Sequence, residues 1–237
     1  MGRLPVAGSD ELKRTNEIKT VIPLLDAIDI QGKDITADAL LTQRHIADYL
    51  VRQRNAHYHF TVKNNQPGLF QDIALFFNDR QSPDFVLTDS PDHGRIETRK
   101  IWTTTALNPY LNFPHLAQAF VIERQSTVKK TGQSSSDIAY GIPSRRPEPA
   151  DPQQLLTTTR GHWSIENRNH YKRDTCPWRE DDHRHRRIRT AQNLALTRNA
   201  LLAIIPFQTG RPLSHCLDHY HRHHAQAINL ILNARPF

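Results

Sequence analysis

The sequence predicts an α/β fold with a β-rich middle and a helical C-terminal part, and three patterns carry that expectation. A strand, a helix and a second strand follow one another between residues 34 and 63, β-formers crowd residues 95 to 142, and helical periodicity dominates after residue 150. Alternation of strand and helix is the pattern of a sheet covered by crossover helices.

In chain order, Val21-Ile22-Pro23-Leu24-Leu25-Asp26-Ala27-Ile28 is a brief apolar segment, helical or extended. Asp34-Ile35-Thr36-Ala37-Asp38 reads as a short strand closing on a carboxylate. Ile46, Ala47, Leu50 and Val51 recur at i, i+1, i+4 and i+5, which puts one apolar face on a helix from about Thr42 to Gln53. His57 to Lys63 alternates and is rich in β-formers, the signature of a second strand. Asn64-Asn65-Gln66-Pro67-Gly68 has loop chemistry, and a helical pattern resumes from Leu69 to Phe77. Arg95 to Leu107, Ala117 to Val128 and Asp137 to Ile142 carry Ile, Thr, Val, Phe and Tyr, with Lys129 to Ser136 as a hairpin loop between the last two. Arg145-Arg146-Pro147-Glu148-Pro149 is a linker, and Asp151-Pro152 starts a helix, because aspartate caps free N–H groups and proline suits the first helical position. Ile188, Ala191, Leu194, Ala195, Leu201, Leu202 and Ile205 then form an amphipathic stripe. Three segments are expected: a partial α/β core over 1–92, a β-rich insertion and linker over 93–150, and a helical part over 151–237.

Composition narrows the function. Lys and Arg number 31 against 24 acidic residues, giving a net charge of +7 and a pI near 9.6, so a polyanion is the expected partner. No apolar run approaches the roughly 18 to 20 residues that span a bilayer, which excludes a transmembrane helix, and residues 1–10 hold no apolar leader. The expected location is therefore the cytoplasm. Cys176 and Cys216 are too few for a disulfide framework or a four-cysteine zinc site.

The densest cluster of reactive side chains is His162-Trp163-Ser164-Ile165-Glu166-Asn167 with His170, Tyr171 and Asp174 behind it. On a helix, His162, Glu166, His170 and Asp174 are spaced by four and climb one face. Such a column can meet a divalent cation, carboxylates favouring Mg²⁺ or Mn²⁺ and imidazoles favouring Zn²⁺, or it can be a solvated face of i, i+4 pairs. Arg184, Arg186, Arg187 and Arg189 form a basic run suited either to phosphate contact or to a solvated helix end. Trp102, Trp163 and Trp178 read as core residues, and His219, His221, His223 and His224 cluster without the cysteines of a zinc finger.

Four stretches in order, Gly32 to Gln43, Lys63 to Pro67, His93 to Arg99 and Gly161 to Asn167, resemble the H-repeat-associated insertion-sequence transposases. The resemblance runs from Asn16-Glu17-Ile18 to about Leu202. It implies an RNase H-like catalytic core interrupted by a β-rich insertion, acting on double-stranded DNA, both element ends and target, alongside the nucleoid. It further implies metal-dependent DNA cleavage and strand transfer by an acidic Asp, Asp, Glu triad with Mg²⁺ or Mn²⁺. By residue match Asp38 is the second acid and Glu166 the third, both catalytic and both metal-holding. His162, Asn167, His170, Asp174, Lys63, Arg184 and Arg187 are candidates to orient those ligands or contact DNA phosphates. Action as a homo-oligomer fits the resemblance.

The family's first aspartate has no counterpart near Lys13-Arg14-Thr15-Asn16-Glu17, so the expectation is a chain truncated before the first catalytic strand. Asp10, Asp26 and Asp29 are weak stand-ins for it. A catalytically inactive DNA-binding remnant is the alternative reading, and a zinc hydrolase using the His162 column ranks below both. Asn64 stands where the family has glycine, and Asn169 and Tyr171 replace a leucine and a tryptophan.

Overall fold

A computed structural model describes residues 10–89, 94–165, 188–205 and 213–233. The chain divides into two compact units, residues 1–162 and 163–237.

The first unit is built on one six-stranded sheet. Helix α1 (Asp10–Asp26) precedes β1 (Asp34–Ala37), a 3₁₀ turn (Ala39–Leu41), α2 (Arg44–Asp48) continued by a π turn (Tyr49–Gln53), β2 (His57–Val62) and α3 (Pro67–Phe76). Strands β3 (Phe85–Asp89), β4 (Arg95–Thr104), β5 (Ala119–Val128) and β6 (Ser134–Pro143) follow, and α4 (Pro152–Ile165) closes the series. The strand order is β1-β2-β6-β5-β4-β3, with β1 and β2 parallel and every other pair antiparallel. The β-rich middle of the sequence is therefore not a separate body: β6 pairs directly with β2, Phe60 opposite Ile142.

Alternation along the strands sorts side chains onto two faces. One face carries Tyr58, Phe60, Val62, Trp102, Val121 and Ile142, packed on Ile46, Ala47 and Leu50 of the α2 segment, on Ile73 of α3, and on Leu107, Leu111 and Phe113 of the β4–β5 connection. The other face places Ile101, Phe120 and Ile122 under Leu155 and Leu156 of α4. Because the inner strands are covered on both sides, their sequence reads as a continuous apolar run (Ala119-Phe120-Val121-Ile122, all buried) rather than an alternation.

Three differences from the sequence reading have physical causes. The α1 helix extends over 17 residues, and Arg54, just past the π turn, holds its C-terminal end: Nη1 donates to the Leu25 carbonyl at 2.8 Å and Nη2 to the Ile28 carbonyl at 2.7 Å. That contact is invisible to local periodicity. Strand β3 was absent from the sequence reading; its Phe85-Val86-Leu87-Thr88-Asp89 is too short and too half-buried to stand out, and it forms by pairing with β4. The expected helix from Thr42 to Gln53 is an α turn that widens into a π turn at Tyr49. The start of α4 matches expectation, with the Asp151 carboxylate accepting the Gln154 N–H at 2.8 Å.

In the second unit, α5 (Ile188–Ile204), α6 (Leu213–Arg222) and α7 (His224–Asn233) enclose a small core of Ile205, Leu213 and Cys216, with Leu201, Leu202, Leu217 and Leu230 against it. Among the described residues no helix is long and apolar enough to cross a membrane.

Candidate active site

Strand β1 ends at Ala37, and the next residue, Asp38, keeps an extended backbone (φ −71°, ψ 176°) while capping the 3₁₀ turn. Its Oδ1 accepts the Leu41 N–H at a long 3.4 Å, and the carboxylate is otherwise exposed. The loop behind it is held firmly. Thr42 is fully buried, and its hydroxyl donates to the Thr61 carbonyl at 2.7 Å. Gln66 Nε2 donates to the Thr42 carbonyl at 2.9 Å, and Asn65 Nδ2 to the Ala39 carbonyl. Two motifs separated in sequence, Asp34 to Gln43 and Lys63 to Pro67, are thus one structural device: amides from the second fix the loop that presents Asp38. Lys63 follows β2 at the same end of the sheet and is exposed. Asn64 is not among the described residues of positive φ, which are Asn55 and His115 outside glycine, so no left-handed turn is needed there.

Helix α4 reaches this end of the sheet through two polar contacts. His162 Nδ1 lies 3.0 Å from the Thr36 hydroxyl on β1, and His59 Nε2 lies 2.8 Å from the Thr159 hydroxyl. Thr159 spends its one proton on the Leu155 carbonyl at 2.9 Å, so it must accept from His59, which puts a proton on His59 Nε2. Burial drives the His59 pKa down to about 4, and the neighbouring His162 adds to that while Asp34 opposes it. Sequence reading missed His59, Thr36, Thr159 and Thr42. The signal was the polar set His57, His59 and Thr61 alternating through a strand whose other residues are buried apolar.

On its opposite flank α4 meets β3: Arg160 Nη2 lies 2.7 Å from Asp89 Oδ2, an ion contact without the alignment of a hydrogen bond. Since β1 and β3 are the two outer strands, a helix touching both requires the sheet to curl around it. Next to Asp89, Glu97 accepts from Arg99 and from Arg124 at 2.6 Å. Burial works to raise the Glu97 carboxyl, and the two arginines outweigh it, leaving it below the ordinary range.

Of the residues singled out in the sequence, Asp38, Lys63 and His162 are brought to one end of the sheet. Glu166, Asn167, His170, Asp174, Arg184 and Arg187 lie outside the described residues, as do Asn169 and Trp178. Trp102 is buried, as expected of a core residue, with its indole N–H donating to the Gln81 carbonyl at 2.7 Å. Asp26 does not stand free to complete a metal site, since Tyr49 donates to it at 2.6 Å and Arg54 at 3.1 Å. Among the described residues no three His, Cys, Asp or Glu side chains converge on a metal position. Asp38 is an exposed carboxylate whose Oδ1 accepts one long hydrogen bond, and a carboxylate oxygen is a donor of the kind that suits a hard cation.

No family model matches the chain. Curated relatives do. YbfL of Escherichia coli (strain K12) is 27% identical over 206 residues, covering 81% of this chain and 52% of the relative. "H repeat-associated putative transposase YhhI" from the same strain is 26% identical with the same two coverages. "H repeat-associated putative transposase YbfD", also from that strain, is 35% identical over 92 residues, 37% of this chain and 36% of the relative. The chain is thus similar over most of its length to a protein named as an H repeat-associated putative transposase, and over a shorter stretch to a second. It spans about half the length of the first two relatives, 52% of each.

Proposed function

We propose that this chain carries part of the catalytic core of a DNA transposase, with Asp38 and Glu166 holding Mg²⁺ or Mn²⁺ for phosphodiester hydrolysis and strand transfer within an RNase H-like fold. The observation that carries the reading is the presentation of Asp38: an exposed carboxylate at the end of a strand, on a loop locked by buried side chains, in a unit where α4 is tied to that same strand through His162 and Thr36. Glu166 follows His162 by one helical repeat in sequence. The bound cation would activate a water or a 3′-hydroxyl and stabilise the leaving oxygen.

The chain's own residues have separate tasks. Asp38 supplies a hard oxygen ligand from a backbone that is already ordered, so little reorganisation accompanies metal binding. His162 and Thr36 tether α4, and Lys63 offers a positive charge to a phosphate near the same end of the sheet. The net charge of +7 favours a nucleic-acid polyanion.

The test is Mg²⁺- or Mn²⁺-dependent cleavage of a labelled element-end duplex, comparing the wild-type sequence with Asp38→Asn and Glu166→Gln, each also placed in a relative-length protein. Each substitution should lower cleavage by more than the roughly 10- to 100-fold typical of losing a residue that merely supports a metal ligand. Undiminished cleavage in either variant removes that residue from the metal site.

A further inference from the structure

The register of the sheet carries an inference about how DNA is gripped away from the scissile bond, and it rests on the transposase reading above. Strands β1 and β2 run parallel with Ala37 opposite Phe60, and β2 pairs antiparallel with β6, Thr61 opposite Gly141. Asp38, one residue past Ala37, is therefore level with Thr61 and Gly141. From that level β6 continues, in reverse sequence order, beyond the end of β2 to Ser135 and Ser134, and β5 and β4 accompany it. The arm so formed, with β3 paired along β4 as far as Asp89 opposite Glu97, projects from the same end of the sheet at which Asp38 is exposed.

Side-chain parity is preserved along it. Thr36, His59 and Phe120 face α4, and by alternation so do Arg124, Ser126, Ser135 and Arg95. Near the tip, Arg95, Ser126, Val128, Gln133, Ser134 and Ser135 line an open cleft, and among these described residues no side chain is acidic. Lys129 and Lys130 sit exposed in the adjoining turn, tied to the start of β4 by the Lys129 N–H on the Gly94 carbonyl at 2.8 Å. The acids in register with Ser126 are Glu97, neutralised by Arg99 and Arg124, and beyond it Asp89, which lies 2.7 Å from Arg160. Hydroxyls, an amide and Arg95 at the cleft, with Lys129 and Lys130 in the turn beside it, form a donor set that contacts nucleic-acid phosphates without reading bases.

We propose that the tip of the β4–β5–β6 arm, through Arg95, Lys129, Lys130 and the Ser126 and Ser135 hydroxyls, is a sequence-independent clamp on the phosphates of duplex DNA about six base pairs from the bond cut beside Asp38. The spacing follows from the register: the six residues from Gly141 to Ser135 rise about 20 Å in a strand, and the phosphates of one DNA strand advance about 3.4 Å per base pair.

Fluorescence anisotropy of the full chain with a labelled 24-base-pair duplex tests the clamp across a range of salt concentrations. In the Arg95→Ala, Lys129→Ala, Lys130→Ala triple variant the dissociation constant should rise about tenfold or more at 0.15 M salt. The slope of log K against log salt should flatten by about 2.7, at about 0.9 per lost phosphate contact. Ser135→Glu, which brings a negative charge into the cleft on an exposed position, should also weaken binding, while the charge-keeping Arg95→Lys, Lys129→Arg, Lys130→Arg triple should retain the slope. An unchanged slope and a dissociation constant within about twofold in both the alanine triple and Ser135→Glu, with melting temperature intact, overturn the clamp. Loss of heparin binding with duplex binding intact overturns it too. Asp38→Asn separates this from the catalytic reading, because it should leave affinity and slope in metal-free buffer unchanged while abolishing metal-dependent cleavage.

Discussion

The inner and outer halves of β4, β5 and β6 belong to the same three strands and obey different physics. Inside, Ala119 to Ile122 of β5 are all buried, sandwiched between the α2 and α3 side and α4. Outside, the same strand carries Gln125, Ser126 and Thr127, and its partner β6 begins with three exposed serines. Two glycines mark the change. At Gly141 an added Cβ would lie 2.2 Å from Phe120 Cζ, so the absence of a side chain there is a packing requirement. At Gly132, in the turn of the arm, the same atom would meet nothing within 4 Å, and only the backbone angle of +69° calls for glycine. Stability of the inner half comes from apolar burial, and stability of the outer half from ladder hydrogen bonds, ion pairs and turn geometry.

The strongest way to break this contrast is truncation in each half. Phe120→Ala removes a ring that is 2% exposed, covers Gly141 and stacks near His59, and should cost about 3 to 5 kcal/mol. Ser135→Ala, on the exposed outer row, should stay within about 0.5 kcal/mol. Urea unfolding of the two variants decides the matter; comparable costs would mean that the arm is packed against something after all.

The same contrast explains what the sequence made legible. The outer arm was readable because polar β-formers ending in Lys-Lys-Thr-Gly-Gln-Ser is local chemistry: the hairpin between β5 and β6 was expected at Lys129 to Ser136 and its turn occupies Lys129 to Gln133. The strand ending at Asp38 was readable as well, since a carboxylate after Ile35-Thr36-Ala37 stops burial abruptly. What failed to show were the contacts of long range. Arg54 on the end of α1, His59 on Thr159 and His162 on Thr36 join residues 26, 100 and 126 positions apart. No periodicity encodes such pairs, and polar residues at buried positions look locally like interruptions. Asp38 and His162 were picked out by resemblance and motif; that a buried histidine on the neighbouring strand also ties α4 down had no sequence signal beyond the polar alternation of β2.

Acid should unfold the two halves' supports in order. Inside, His59 is held neutral with its pKa near 4 against an ordinary 6.5, so the unfolded chain binds a proton that the folded chain refuses. Its contribution is fully present above about pH 6.5 and is lost as pH falls towards 4, a span worth about 3 kcal/mol at most. Outside, Glu97 has its pKa lowered below 4.5, so its ion pairs contribute above that value and are lost only as pH falls further. His59→Gln keeps an N–H for Thr159 and removes the titration; its stability should decline less than wild type between pH 6.5 and 4.5 in denaturant unfolding. Parallel profiles for the two proteins would show that His59 is not the group responsible.

The smallest predicted effect isolates turn geometry from packing. Gly132 donates its N–H to the Val128 carbonyl at 2.8 Å while Val128 donates to the Gln133 carbonyl at 2.9 Å, closing the β5–β6 turn around a left-handed residue. An alanine there meets no neighbour, so its cost is the conformational penalty alone, about 1 to 2 kcal/mol. Asparagine, which enters that region more readily, should cost less than alanine despite its larger side chain. Steric crowding would reverse that order, so the ranking of Gly132→Ala and Gly132→Asn melting temperatures reports which physics governs the turn. If alanine proves the milder change, the arm is packed more like the inner half than its exposure indicates, and the open cleft assigned to DNA phosphates loses its floor.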